Sequence, residues 1–246
     1  MILSGKELSD NIKSQLAQEV ATFPAKYGRV PHLAVVLVGD DPASATYVRN
    51  KGKACEKIGI HNTTIHLPAE TSEETLLEQI RLLNEDDGVD GILVQLPLPP
   101  HIDELKALYA IAREKDVDGF HPENVAALWR RRTKPETNPQ YCVPCTPRGI
   151  IRLLKAANVD IDGKRAVVVG RSNIVGLPVA KLLLNENATV TICHSHTKDL
   201  AQITREADIL VVAVGKPHFI TAEMVKKGAV VIDVGIDRTP EGKLCG

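Results

Sequence analysis

Neither charge nor apolar length dominates this sequence. Lys plus Arg number 30 against 31 Asp plus Glu, a formal net charge of −1. No global field therefore draws the chain to nucleic acid or to an anionic membrane, although a local patch can still hold phosphate. No run approaches the roughly 18 apolar residues that suggest a membrane span. The first residues lack a basic segment followed by an unbroken apolar stretch, so no secretory leader is expected. Cysteine is sparse: Cys55, Cys142, Cys145, Cys193 and Cys245 show none of the spacing of a secreted disulfide scaffold. That points to a reducing cytoplasm. Internal repeats and low-complexity tracts are also missing. What remains is an ordinary globular composition, 43% hydrophobic and 25% charged over 246 residues, enough for one large domain or two moderate ones.

Strands and helices alternate along the chain. Ser4 and Glu7 have capping-box spacing ahead of a periodic segment that predicts a helix to about Phe23. Residues 32–39, HLAVVLVG, read as a buried strand. A turn at 40–42 leads to a helix over 44–58, stopped at Gly59. A strand at 63–67 follows, then a helix capped by Thr71 and Glu74 that runs to Asn84. Residues 91–96, GILVQL, form the next strand, broken by Pro97, Pro99 and Pro100. This is the signature of βαβ units around a mostly parallel sheet. Between His121 and Pro147 the rhythm fails among five prolines and the basic run at 130–132, which reads as a linker with some short structure. Thr146 and Pro147 then suit the N-cap and first position of a helix through Ala157. Further strands are predicted at 165–170, 188–193, 208–214 and 230–234, with helices at 178–184 and from about Lys198. Two α/β domains fit this material better than one.

The sharpest local signal is VVVGRSNIVGLP, residues 167–178. A buried strand ends at Gly170, a loop follows, and Pro178 stands where a helix begins. Backbone N–H groups at a helix start can cradle a pyrophosphate, and glycine lets the backbone approach it. The Gly170 to Gly176 spacing departs from GxGxxG, so a tight turn without a ligand competes with this reading. The next strand ends in CHSHT, 193–197, with no acidic residue to bind ribose hydroxyls. A carboxylate there would repel a 2′-phosphate, whereas Arg171 and Ser195 can donate to one. NADP is therefore favoured over NAD. His194 and His196 are equally well read as solvent-facing loop residues.

Six stretches, in order and in spacing, resemble the methylenetetrahydrofolate dehydrogenase/cyclohydrolase family of the bacterial, bifunctional type. They are YVRNKGKACEKIGI (47–60), DGILVQLPLPPHI (90–102), KDVDGFHPENV (115–125), PCTPRG (144–149), GRSNIVGLP (170–178) and VIDVGI (231–236). The resemblance implies an α/β fold of two domains, an N-terminal catalytic domain over 1–121 and a Rossmann-like NADP-binding domain over 149–246. A linker over 122–148 would join them, with the folate in the cleft between. Family members ordinarily continue through a PGGVGPMT segment and a closing helix beyond the position matching Gly246.

The same resemblance assigns roles. Tyr47 and Lys51 lie four apart on one helix face; alone they read as a solvated pair. In the family's pattern Lys51 is the central catalytic lysine, Tyr47 lines the folate ring site, and Gln95 holds the lysine in place. Asp118 of DVDG accepts from the amino and ring N–H groups of the pteridine, although an Asp-Gly turn explains the same letters; Asp116 is then structural. Gly170, Arg171, Ser172, Ile174, Gly176, Ser195 and Ile236 are the expected cofactor contacts. Cys142 and Cys145 form a lone CxxC, poor evidence for zinc or a redox disulfide, and no metal is expected. The run 130–132 with Lys134 reads as a solvated face, or as a contact for folate's glutamate tail or a neighbouring subunit. The activity implied is NADP-dependent oxidation of 5,10-methylenetetrahydrofolate and hydrolysis of the product, in a cytoplasmic homodimer that acts on tetrahydrofolate derivatives. The competing readings are a dehydrogenase without cyclohydrolase activity and a binding protein that keeps only the dinucleotide domain.

Overall fold

The computed structural model describes residues 2–130, 141–235, 237–238 and 244–245. Residues 2–126 and 127–246 form two compact units, each built on its own parallel sheet.

The first unit opens with α1 (Gly5–Val20), where Ser4 Oγ accepts from the Glu7 N–H at 3.3 Å. The helix stops short of the expected Phe23. Pro24 has no N–H, and its ring would collide with the carbonyl four residues back, that of Val20. A short α2 (Phe23–Tyr27) restarts with that proline in its first turn. β1 (His32–Val38) is buried from Ala34 to Val38. Successive strand side chains point to opposite faces, and both faces are covered. Ala34, Val36 and Val38 pack with Leu76, Ile80 and Leu83 of α4 (Glu73–Glu85). Val35 and Leu37 pack with Val48 of α3 (Pro42–Ile58). This two-sided burial is why the strand is apolar without alternation. β2 (His61–Leu67) and β3 (Gly91–Val94) flank it in parallel, in the order β2-β1-β3.

Caps decide the helix boundaries. Asp41 accepts from the Ser44 N–H at 2.7 Å, so α3 begins two residues earlier than predicted, with Pro42 in its first turn. Gly59, in the left-handed conformation at φ 84°, closes it as expected. The predicted Thr71/Glu74 cap of α4 is wrong. The Thr71 hydroxyl donates to the Pro68 carbonyl at 2.6 Å, and Ser72 takes the cap position, accepting from the Thr75 N–H at 3.2 Å. Besides α2, two further α-helices among the described residues were not foreseen. α5 (Glu104–Ala110) is too short to show a period and is set by Asp103, which accepts from the Leu105 and Lys106 N–H groups. α6 (Pro122–Arg130) occupies part of the expected linker. Its leading proline starts the helix rather than breaking one.

In the second unit α7 (Cys145–Ala156) begins ahead of the predicted Thr146, with Pro144 at the cap position. Pro147 lies within the first turn, where its missing N–H has no helical partner to lose. β4 (Arg165–Val169), β5 (Thr189–Cys193), β6 (Ile209–Val212) and β7 (Val230–Asp233) form a parallel sheet in the order β5-β4-β6-β7. α8 (Gly176–Asn185) follows β4, and the short α9 (Leu200–Thr204) follows β5. Val167, Val169, Cys193, Leu210 and Val212 make one buried cluster of this sheet, against which Leu200 and Ile203 pack. Among the described residues no helix is long and apolar enough to cross a membrane.

Candidate active site

In a parallel sheet whose first strand lies between the second and third, the chain leaves β1 in one direction and returns in the other. Ligands settle at the carboxyl ends of the strands where that reversal opens a crevice. In the first unit this point lies between β1 and β3. Gln95 stands there, one residue beyond β3, its N–H donating to the Val36 carbonyl at 2.9 Å. Its side chain is oriented by its own partners. Nε2 donates to the Leu96 carbonyl at 2.7 Å, which turns Oε1 outward to accept from Lys51 Nζ at 2.8 Å. The Leu96–Pro97 peptide beside it is cis. The structure thus brings together Lys51 and Gln95, the two residues the resemblance joins. Tyr47, one helical turn before Lys51, is half exposed.

Asp118 lies half-buried just ahead of Gly119, whose φ of +70° shows the Asp-Gly turn that competed with the ligand reading. The turn and a ligand role are compatible, because the turn conformation belongs to the Gly119 backbone. Asp116 differs in kind. It is buried and accepts hydrogen bonds from its own loop.

The second unit has the same reversal between β4 and β6. Gly170 ends β4 at φ +115°, and a Cβ there would stand 2.4 Å from the Ala213 carbonyl oxygen. A Cβ on Gly176 would stand 2.3 Å from the Gly170 carbonyl oxygen, and one on Gly235 would stand 2.4 Å from that of Val214. Three backbone stretches meet so closely that only glycine fits, because a Cβ at any of these positions would collide with a neighbouring backbone carbonyl. Gly235 was not singled out from the sequence. The signal was there in the Val-Gly pairs 169/170, 214/215 and 234/235, each just beyond a strand of one sheet.

The helix start itself differs from expectation. Ser172 Oγ accepts from the Val175 N–H at 3.1 Å and from the Gly176 N–H at 3.2 Å, and the Ser172 carbonyl accepts from the Leu177 N–H. The first donors of α8 are therefore satisfied by the chain. Among the described residues the amides of 171–174, on the loop, have no such partner. The donors available to an anion lie on the loop rather than on the helix. Ile174 is partly exposed there.

Val169 and Cys193 are register partners, and the Gly170 N–H donates to the Cys193 carbonyl at 2.9 Å. Arg171 and the 194–197 turn therefore leave adjacent strand ends. The turn is tied by the His194 N–H to Thr197 Oγ1 and by the Thr197 N–H to the His194 carbonyl, both at 2.8 Å. Ser195 stands exposed on it. His194 Nδ1 accepts from the His196 N–H at 3.2 Å, which gives that histidine a part in the turn. Burial pushes the Cys193 thiol up, with Thr197 opposing by a hydrogen bond, so it is a poor nucleophile. Cys142 and Cys145 form no disulfide. Among the described residues no group of three or more His, Cys, Asp or Glu is placed to hold a metal. Ile236, Arg131, Arg132 and Lys134 lie outside the described residues; Arg130 is exposed at the end of α6.

Two crevices of this kind, one holding a lysine–glutamine pair and the other a glycine-lined phosphate-type turn, define a two-unit α/β enzyme of the dinucleotide-using class. Comparison with known proteins makes this specific. Residues 3–118 match the catalytic domain, and residues 144–246 the NAD(P)-binding domain, of tetrahydrofolate dehydrogenase/cyclohydrolase. The chain belongs to the tetrahydrofolate dehydrogenase/cyclohydrolase family. It is 56% identical over 245 residues to the bifunctional protein FolD of Agathobacter rectalis, covering 100% of this chain and 85% of that one. The crystal structure of the bifunctional FolD methylenetetrahydrofolate dehydrogenase/cyclohydrolase of Campylobacter jejuni is similar at a TM-score of 0.93 and 48% identity, over 99% of this chain and 84% of that chain. The dehydrogenase–cyclohydrolase of Trypanosoma brucei, solved with NADP cofactor and an inhibitor, is similar at 0.93 and 43%, over 100% and 84%. The expected family and the α/β fold with a catalytic and an NAD(P)-binding domain are as the sequence implied.

Proposed function

We propose that this protein oxidises 5,10-methylenetetrahydrofolate to 5,10-methenyltetrahydrofolate with NADP and hydrolyses that product to 10-formyltetrahydrofolate. The observation that carries the proposal is the 2.8 Å contact between Lys51 Nζ and Gln95 Oε1 at the reversal point of the first sheet, in a chain matched by both family domains.

NADP, when bound, supplies a hydride acceptor. The turn between Gly170 and Gly176 fits a dinucleotide, since its 171–174 amides have no partner among the described residues and are available to an anion. Arg171, Ser172 and Ile174 on that loop, with Ser195 on the adjacent turn and Ile236, are assigned to the cofactor. Arg171 and Ser195 donate to the 2′-phosphate, which no carboxylate in 193–197 repels.

Folate falls to the first unit. Asp118 accepts from the pteridine's amino and ring N–H groups, Tyr47 lines the ring, and Gln95 holds Lys51 toward the reacting carbon. Loss of hydride leaves a cation shared by the adjacent nitrogens, and the protein's part in that step is alignment. Hydrolysis asks for more. Attacking water loses a proton and the departing ring nitrogen gains one, and Lys51 is the group placed to move them. We divide the chain into a folate-binding domain over 1–121, a connecting segment over 122–148 and an NADP domain over 149–246. We place the protein in the cytoplasm as a homodimer.

A spectrophotometric assay with methylenetetrahydrofolate, run with NADP and with NAD, tests the proposal alongside a separate assay of methenyltetrahydrofolate hydrolysis. Turnover in both assays, with NADP the better cofactor, is the expected result. Oxidation with no hydrolysis above the spontaneous rate would reduce the protein to a dehydrogenase alone.

A further inference from the structure

Asp116 is 1% exposed, yet among the described residues none of the groups that donate to it is a cation. The Gly119 N–H donates to Oδ1 at 2.9 Å, while the His121 N–H and Asn124 Nδ2 both donate to Oδ2 at 2.8 Å. Asn124 Nδ2 also donates to the Arg113 carbonyl at 3.1 Å, and its Oδ1 is buried without a partner among the described residues. Two buried polar side chains are thus committed to one loop, and one of them leaves an acceptor unsatisfied to do so. Burying an unpaired polar atom is costly. An Asp-Gly turn can close a loop without such an arrangement.

The loop is fixed from the other side as well. The Ile92 N–H donates to the Lys115 carbonyl at 2.7 Å, and Asp116 makes a parallel bridge with Ile92, so the segment is hung on the outer edge of β3. Gly91 has no Cβ, which would stand 2.4 Å from Val117 Cγ1, so Val117 seats against the start of that strand. Lys115 Nζ donates to the carbonyls of Leu83, Asn84 and Asp86 at 3.0, 2.8 and 2.7 Å, closing the end of α4, which has no basic residue in its own last turn. The strand that ends at Gln95 therefore also carries the segment that ends at Asp118.

We propose that Asp116 is a positioning residue for folate: its carboxylate grips the backbone at 119 and 121 and so fixes Asp118, which stands between the grip and its anchor. This rests on the reading that Asp118 receives the pteridine. A ligand held by two hydrogen bonds to one carboxylate tolerates little displacement, and a misplacement of about 1 Å can cost on the order of 10²-fold. The second acid of the DVDG stretch has the ligand, and the first has the second acid.

The test is a double-mutant cycle in the full chain. Asp116→Asn keeps the shape but turns an acceptor toward a donor. It is expected to raise the KM for methylenetetrahydrofolate by about tenfold or more, with kcat falling less and the KM for NADP unchanged. In an Asp118→Ala background the same substitution is expected to raise the folate KM no further, because its effect runs through Asp118. A merely structural role predicts less active enzyme with an unchanged folate KM, and that result overturns the proposal, as does a rise that repeats in full without Asp118. If Asp118→Ala alone leaves the folate KM unmoved, the reading of Asp118 has failed and this inference falls with it, so the two failures are told apart. Should Asp116→Asn not fold, Asn124→Ala removes one of the three donors to Asp116, together with the bond to the Arg113 carbonyl, and takes its place in the cycle. A smaller rise in the folate KM that vanishes in the Asp118→Ala background is expected; no change overturns the proposal.

Discussion

Lys51 Nζ and Gln95 Oε1 are 2.8 Å apart, and the amide is unable to turn away because its Nε2 is engaged by the Leu96 carbonyl. A lysine amine is ordinarily a mobile point on a long stem. Here the acceptor is locked by the residue that follows it, so the amine inherits a fixed direction from the end of β3. That fixed amine matters differently to the two reactions. Hydride transfer needs alignment but no acid or base at the carbon, whereas hydrolysis needs protons moved. Lys51→Met keeps the apolar stem and removes the amine, so methenyltetrahydrofolate hydrolysis is expected to fall by about 10²–10⁴-fold while NADP and folate still bind. Hydrolysis corrected for the spontaneous rate, beside a binding titration, checks this. A near-normal corrected rate in a folded variant would remove Lys51 from the mechanism.

The pairing of Lys51 with Gln95 was legible only through the resemblance. Residues 44 apart in the chain meet because α3 packs on β1 while β3 pairs beside it, and no local pattern encodes that. The strands were legible on their own, since burial on both faces writes itself as Val-rich runs. Caps were legible where a side chain had one task, as at Ser4 and Gly59, and misread where two neighbours compete. Thr71 and Ser72 are both good caps by type; the carbonyl of Pro68 takes the Thr71 hydroxyl and leaves the helix to Ser72. Prolines hid α6 because a proline reads as a breaker until its position in the helix is known. The close approaches at Gly170 and Gly235 depend on neighbouring strand ends meeting, which is a tertiary fact although its Val-Gly mark is in the sequence.

Cofactor choice is tested at Arg171. It leaves β4 next to the strand end that carries Ser195, and no acidic residue stands in 193–197. A charged hydrogen bond to phosphate is worth about 1.5–3 kcal/mol, so Arg171→Ala is expected to lower kcat/KM for NADP by about ten- to a hundredfold and to spare NAD. Side-by-side kinetics with the two cofactors would contradict the assignment if both fell alike, or if the unmodified enzyme used them equally well.

Gly176 is the position where the cradle has least room. A methyl group there would meet the Gly170 carbonyl oxygen at 2.3 Å and the Arg171 Cα at 2.9 Å. Both neighbours are backbone, so the loop must shift rather than a side chain swing aside. Overpacking of this sort costs about 1–3 kcal/mol, and the shift moves the 171–174 amides. Gly176→Ala is expected to lower the melting temperature and to weaken NADP binding, with folate binding nearly preserved. Calorimetric titration with each ligand separates these effects. Unaltered NADP affinity would mean that the close approach serves packing alone.

Acid stability is tested at the opposite end of the first sheet, where the Arg29 guanidinium grips Asp90 with Nη1 to Oδ2 at 2.6 Å and Nη2 to Oδ1 at 2.8 Å. The His32 N–H adds a third donor at 2.8 Å. The Arg29 hydrogen bonds hold the Asp90 carboxyl below its usual range, with burial opposing. A carboxyl whose pKa is depressed by folding contributes stability that is fully present above the unfolded value, about 3.9 for aspartate. That contribution is lost as pH falls through the lower folded value, because the unfolded chain takes up the proton first. Both side chains are nearly half exposed, so solvent and salt screen the pair and the effect is modest. Asp90→Asn removes the titration but keeps one acceptor. The variant is expected to melt below the parent at neutral pH, and the gap between them is expected to shrink as pH is lowered through the range near 4 and below. Thermal melts from neutral pH down to about pH 3 at low ionic strength follow that gap. A gap that widens on acidification would carry the wrong sign for a depressed carboxyl and would assign the acid response to other groups.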